Sequence, residues 1–442
     1  MSIDHAARRA RIASSLGLTD EILLVGAGQP VPKPEISDQQ LPFIAHQEYF
    51  YLTGLADAPG GILTFDPKSG PGLRSLPSSI ASPTEDGVGG WVSFVPEVTE
   101  MERVWEGRGQ LPGELLGKFP AWLAARPGRR LVMLGAPVAG VAADEARTAE
   151  VRAALQHARR PKEPGEIDLM KRCAVATIAG YAAVQPFLKA GVTEREMQVE
   201  LEAEYFRHGA QKTGYDTIIG TGPNSAVFHG APSARAARDG EFILIDSGAE
   251  LDRYVIDVTR TYVAGKPSAF QRDLHQVVLG AQVRACERCR PGAEWKDIHF
   301  GAAVDLIGGL VAMGVMKGDP SSLVEQEAHM LFFPHGLGHM LGLGVRDASG
   351  LEPGRTKDPR PCLKNLRMDL ILRPGYIVTV EPGLYFIPAL LNDPVRREKY
   401  HDCVNWPLAD KCLGLGGVRI EDNLLVTAGA PENLTAVIPK TL

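Results

Sequence analysis

The sequence predicts an α+β chain in two parts: a smaller α/β domain over residues 1–160, then a larger domain over 161–442 whose helices cover one face of a curved sheet. Three observations carry this. Short apolar runs separated by turn residues fill the first part, as strands do. The stretch QHARRPKEPGE, charged and bearing two prolines, reads as a boundary. Beyond it, helical and strand patterns are grouped instead of alternating, which favours helices packed on one side of a sheet.

The elements follow in order. EILLVGAG, EYFYLTGL, GGILTFD, WVSFVP and RLVMLGAPVAGV are the apolar runs of the first part, with one helix expected near LLGKFPAWLAARPG. After the boundary, Ile167, Met170, Ala174, Ile178, Tyr181 and Val184 recur at helical spacing, with Gly191 beyond the end. Thr193 then opens T-E-R-E, a capping box in which Glu196 reaches back to the start of a helix running to about His208. DTIIGTG, EFILIDSG and YVIDVTRTYV read as strands, 270–289 and 296–314 as helices, and the remainder as a strand-rich block.

Composition narrows the function. With 44% apolar and 23% charged residues the chain is an ordinary globular one, and a net charge of −6 without a long block of one sign speaks against a nucleic acid or an anionic membrane as partner. No apolar run reaches the ~18 residues of a membrane span, and MSIDHAARRARIASSLG lacks the pattern of a signal peptide. A cytoplasmic location is expected, with the six cysteines as free thiols. Cys286 and Cys289 form C-x2-C, but no second pair matches them and their setting reads as a helix end, so a structural role is preferred to zinc or redox chemistry.

Five residues of the second part stand out as possible ligands. Asp246 ends one strand and Asp257 lies inside the next, eleven residues on, so the two carboxylates could face each other across a hairpin. Strand parity groups Val255, Asp257 and Thr259 on one face; a salt bridge, for instance to Arg260, is the plainer reading of either aspartate alone. His335 and His339 in FFPHGLGHMLGLG lack the glutamate and the helix of a zincin motif, and the glycines lack the context of a dinucleotide fingerprint. They allow close backbone approach around two histidines. Glu381 and Glu421 each end a short apolar strand. Four carboxylates and one imidazole need counter-charge, and two divalent cations, Mn2+, Co2+ or Zn2+, suit an oxygen-rich set.

These residues resemble a known family, the pita-bread metallopeptidases, which include Xaa-Pro dipeptidase (prolidase), aminopeptidase P, methionine aminopeptidase and creatinase. The resemblance covers residues 160 to 442 and rests on FHGAPS, LIDSGAELDRYVIDVTRT, PHGLGH, TVEPGLYF and GGVRIED in order. FIAHQEYFYLTGL is similar, more weakly, to the creatinase/aminopeptidase P N-terminal domain. The resemblance implies a curved, mainly antiparallel pita-bread sheet and a dinuclear site on Asp246, Asp257, His339, Glu381 and Glu421, with Mn2+ as the expected metal. It further implies that His229 and His335 line the substrate pocket, that Tyr385 and Arg419 support it, and that Arg367 binds a dipeptide's terminal carboxylate. Glu381 would relay a proton, and the N-terminal domain would shape the pocket.

Two positions depart from the family pattern. Arg346 stands where a substrate-contacting histidine is usual, and Arg253-Tyr254 replaces glycine-tyrosine before Asp257. Arg346 either points into the pocket as a second cation, the preferred reading, or turns away to pair with Asp347 or Asp369. The expected activity is hydrolysis of Xaa-Pro dipeptides by a homodimer. The alternatives are an Xaa-Pro aminopeptidase acting on longer peptides and, from another class, a non-catalytic binding module on the same fold.

Overall fold

In the N-terminal part four of the apolar runs become strands and one does not. Helix α1 (His5–Ser15), capped by Asp4, precedes β1 (Ile22–Gly26); α2 (Gln47–Thr53), β2 (Ile62–Phe65), β3 (Trp91–Val95) and α3 (Glu100–Trp105) follow. Then come β4 (Glu114–Leu115), α4 (Phe119–Ala124), β5 (Leu131–Gly135) and α5 (Glu145–Arg159). The run EYFYLTGL is α2, not a strand. His46 accepts from the Glu48 amide at its start and Gly54, at φ 73°, ends it; caps and burial of its aromatic residues outweigh their strand preference. The strands form one mixed sheet, β4-β3-β2-β1-β5, in which β1 runs antiparallel to β2 and parallel to β5.

This computed structural model describes residues 3–33, 41–69 and 90–442. Contacts within the chain divide it into two units, one running up to Arg159 and one from Arg160 to Leu442.

The second unit begins with α6 (Pro164–Val184) and α7 (Glu194–Arg207), the latter with the Thr193/Glu196 capping box complete. Strands β6 (Lys212–Thr213), β7 (Ile218–Thr221), β8 (Phe242–Asp246), β9 (Ala249–Leu251), β10 (Tyr254–Val255) and β11 (Thr259–Val263) follow. Helices α8 (Ala269–Arg288), α9 (Trp295–Ala312) and α10 (Pro320–Glu325) lead to β12 (Gly350–Leu351), β13 (Met368–Asp369), β14 (Ile377–Val380) and β15 (Gly383–Tyr385). Three short helices, α11 (Pro388–Leu391), α12 (Pro394–Lys399) and α13 (Trp406–Lys411), interrupt the block expected to be strand-rich. It resumes with β16 (Gly417–Arg419), β17 (Asp422–Leu425) and β18 (Glu432–Asn433). Proline in the first turn of each short helix starts it at a position that needs no amide donor.

The strands of this unit pair in small sheets, β11-β8-β7, β10-β9-β6, β14-β17-β18 and β15-β16, all antiparallel, with β12-β13 parallel. Their apolar faces pack on α8 and α9. Val378 and Val380 of β14 join Trp295 and Ile298 of α9 in one buried cluster, while Leu274, Val278, Leu306 and Leu310 meet Phe332, Leu384 and Val418 in another. Each such side chain contributes roughly 1.5–3 kcal/mol by leaving water. Alternation then turns Thr379 and Glu381 to the opposite face. Among the described residues no helix is long and apolar enough to cross a membrane.

Candidate active site

The YVIDVTRTYV run is not one strand: β10 ends at Val255 and β11 begins at Thr259, with Asp257 in the gap. The hairpin reading of the aspartates is corrected accordingly, because the register pairs Asp246 with Thr259, not with Asp257. The gap is held by a side chain. Asn423 Oδ1 accepts from the Asp257 amide at 2.9 Å and its Nδ2 donates to the Asp257 carbonyl at 2.5 Å, standing in for a ladder partner. Tyr215 brings the aspartates together, its hydroxyl lying 2.7 Å from Asp246 Oδ1 and 2.5 Å from Asp257 Oδ1. A phenol has one proton, so the second oxygen at that distance calls for a proton or a cation.

His339 is seated by a close approach that the glycines permit. A Cβ at Gly338 would stand 2.1 Å from the Thr379 carbonyl oxygen, and the His339 amide donates to Thr379 Oγ1 at 3.1 Å. His339 Nδ1 lies 3.1 Å from the Met340 carbonyl, which fixes the proton there and leaves Nε2 facing Asp257 Oδ2 at 3.5 Å and Glu381 Oε1 at 3.9 Å. Glu421 Oε2 accepts from Thr259 Oγ1 at 2.7 Å, while its Oε1 is buried with no partner among the described residues. One ligand atom each from Asp257, His339 and Glu421 falls within 4.8 Å of the others.

The cluster is short of positive charge. Arg419 touches it through a 2.5 Å contact to Asp246 Oδ2, and its other nitrogens bond Thr259 Oγ1 and the Tyr385 hydroxyl. Burial pushes Asp246 up to about 6 and Glu381 up to about 7, and Glu421 well above the carboxylate range, with neighbouring carboxylates adding to each shift. For His339 burial acts downward, but the Asp257 hydrogen bond and the charges of Asp257 and Glu381 outweigh it and raise the ring. Protein groups alone leave Glu381 and Glu421 poorly compensated as charges. An oxygen-rich set with one imidazole and an orphaned Glu421 oxygen fits divalent cations, which supply the missing charge.

Around the cluster lies a cavity of about 560 Å³. His335 Nδ1 faces the Gly336 carbonyl at 2.8 Å, so its Nε2 accepts from the Tyr385 hydroxyl at 2.9 Å, and that hydroxyl accepts from Arg419. Burial, then the Arg419 charge, lowers His335 to about 3. His229 is also held below its ordinary value, by burial and by Arg346, Arg419 and Arg367. Both rings are neutral near pH 7. Arg346 and Arg367 line the cavity and neither guanidinium has a hydrogen bond or ion pair among the described residues. The partners that could have drawn Arg346 away are taken: Asp347 by Lys162 at 3.0 Å and Asp369 by Arg355 at 2.7 Å.

Residues 168–428, more than half of the chain, match metallopeptidase family M24. The chain belongs to that family. Among related proteins, a Xaa-Pro dipeptidase of Stenotrophomonas maltophilia is 31% identical over 442 residues, covering 98% of this chain and 96% of the relative. A probable Xaa-Pro aminopeptidase of Coccidioides posadasii is 28% identical over 466 residues, covering 98% and 93%. The fold matches that of the aminopeptidase PepP of Pseudomonas aeruginosa with a TM-score of 0.76 at 24% identity, covering 100% of this chain and 96% of the other. Aminopeptidase P from E. coli, solved with the inhibitor Pro-Leu, gives the same score, identity and share of this chain, covering 97% of the other. This metallopeptidase therefore has the two-domain pita-bread fold.

In the metallopeptidase, every site residue expected from the resemblance borders the cavity or touches a residue that does: Tyr385 enters through His335 and Arg419. Tyr215, Thr259, Thr379 and Asn423 were missed. Asn423 had a legible signal, two residues after Glu421, and Thr259 had one as a neighbour on the face of Asp257; Tyr215 and Thr379 are recognised only once separate strands meet.

Proposed function

We propose that this metallopeptidase hydrolyses Xaa-Pro dipeptides. The observation that supports this reading most is the pair of guanidiniums, Arg346 and Arg367, that make no hydrogen bond or ion pair among the described residues, in a cavity whose floor is carboxylate. A dipeptide ending in proline brings one free carboxylate, and charge-assisted pairing with arginine is its strongest complement in a side-chain repertoire. Similarity to a Xaa-Pro dipeptidase over nearly the whole chain agrees with it. Similarity to Xaa-Pro aminopeptidases supports a second reading, action on longer peptides.

Asp246, Asp257, His339, Glu381 and Glu421 would hold two divalent ions, Mn2+ by donor type. Bound there, the ions would supply Lewis-acid activation of the scissile carbonyl and of water. The protein's own groups do the rest. An Xaa-Pro bond is a tertiary amide with no N–H to offer, so the site must hold the substrate by other groups. Neutral His229 and His335 are able to hydrogen-bond the peptide without adding positive charge, and Arg367 with Arg346 would fix its carboxylate end. Glu381, itself one of these five residues, would take a proton from the attacking water and pass it to the prolyl nitrogen, which leaves as an amine. Tyr385, held by Arg419, would keep the His335 ring in register.

Kinetics of Arg367→Ala on Ala-Pro and on Ala-Pro amide test the reading. The expected result is a loss on the order of 1.5–3 kcal/mol in apparent binding of the dipeptide and little change for the amide. Equal losses on both would favour the aminopeptidase reading.

A further inference from the structure

The loop that brings Phe228 and His229 to the cavity is tied at its base by one carboxylate. Glu194, the first residue of α7 and 1% exposed, reaches both limbs of that loop. On the incoming limb its Oε1 accepts from the Thr221 amide at 2.8 Å, from Thr221 Oγ1 at 2.9 Å and from Asn224 Nδ2 at 2.9 Å. On the outgoing limb its Oε2 accepts from the Ser233 amide at 3.0 Å and from Ser233 Oγ at 2.6 Å. The backbone runs alongside: the Arg195 amide donates to the Ser233 carbonyl and the Glu194 amide to the Arg235 carbonyl, both at 3.0 Å.

At its far end the loop forms cavity wall. Phe228 packs edge-on against Tyr385 and His335, with ring centres 4.7 and 5.5 Å apart, and His229 lines the same cavity. Glu194 itself does not line it. A carboxylate suits the base of the loop because it offers acceptors only, and two backbone amides and three side-chain donors converge on it. Burial acts to raise Glu194, but the hydrogen bonds from Ser233, Thr221 and Asn224 outweigh it and hold the group below the ordinary glutamate value. A glutamine of the same size has one acceptor oxygen and a nitrogen that only donates, so whichever limb the nitrogen faces loses its backbone amide contact.

We propose that Glu194 is a positioning residue for substrate binding: by closing the base of the loop it holds His229 and Phe228 in the cavity wall and so sets the affinity for the peptide. This rests on the reading of the cavity as the peptide site given above.

The test uses the full-length, Mn2+-loaded enzyme with Ala-Pro, and a double-mutant cycle between Glu194→Gln and His229→Ala. Glu194→Gln is expected to raise KM at least fivefold with kcat within threefold, and to keep the metal content and the Mn2+ concentration for half-maximal activity within twofold. Adding His229→Ala is expected to cost less than the product of the two single losses, because both act through one loop. If Glu194→Gln does not fold, Ser233→Ala, which removes one donor from the outgoing limb, takes its place and should raise KM at least twofold. The proposal is overturned if the variant that folds has a lower Tm and an unchanged KM, which is a structural role alone, if the loss falls on metal binding, or if the two losses multiply. If His229→Ala alone leaves kcat/KM for Ala-Pro unchanged, the reading of the cavity as the peptide site fails first. If His229→Ala lowers it and Glu194→Gln leaves KM alone, only the positioning role fails.

Discussion

At the residue scale the acids and His339 were legible because each sits at a strand end or beside glycines, where a charge among apolar residues demands explanation. What surrounds Arg346 was not, because its neighbour's partner is Lys162, far away in sequence. Facing the cavity, Arg346 adds a fixed cation. Arg346→Ala is expected to lower kcat/KM for Xaa-Pro dipeptides at least tenfold, roughly 1.4 kcal/mol, with metal content unchanged. Arg346→His should keep part of the activity and add a titration near the ordinary histidine value of about 6.5. The second departure from the family pattern has a backbone meaning. Asp252 and Arg253 both take positive φ, 48° and 68°, in the tight turn between β9 and β10, a turn that favours Asn-Gly or Asp-Gly. A bulky residue there costs roughly 1–2 kcal/mol, partly offset by the freedom glycine loses on folding.

At the element scale the long amphipathic helices and the Thr193 capping box could be read directly, since their spacing and caps are local. The strand breaks could not. Asp257 lies in one because Asn423, from another strand, supplies its hydrogen bonds, and α2 is helical because its aromatic residues are buried and its ends capped. The helical layer also carries a pH dependence. His275 on α8 and His299 on α9 are buried with neither ring nitrogen partnered among the described residues, and His329 after α10 is buried too. Burial lowers them to about 4, 3 and 4. A ring whose folded value lies below its unfolded 6.5 takes up protons preferentially when unfolded, so its stability contribution is complete above about 6.5 and is lost as pH falls towards 4. Each withdraws on the order of 2 kcal/mol by pH 5. Thermal unfolding from pH 7 to pH 5 should show a falling Tm, and His299→Phe should flatten the fall. An unchanged slope in that variant would assign the acid sensitivity elsewhere.

At the scale of the whole molecule, separated segments converge on one cluster of four carboxylates and the His339 imidazole. The order and spacing of the motifs allowed it to be expected. The extent of burial was not legible, because exposure depends on how α8 and α9 cover the strands. A cluster this short of cations should depend on added metal for both stability and turnover. The most direct measurement follows hydrolysis of Ala-Pro beside a longer Xaa-Pro peptide, in enzyme stripped with chelator and then titrated with Mn2+, while metal content is measured. Stripped enzyme is expected to show no turnover, recovery to saturate at two ions per chain, and the dipeptide to be preferred. Full turnover by metal-free enzyme would contradict this expectation.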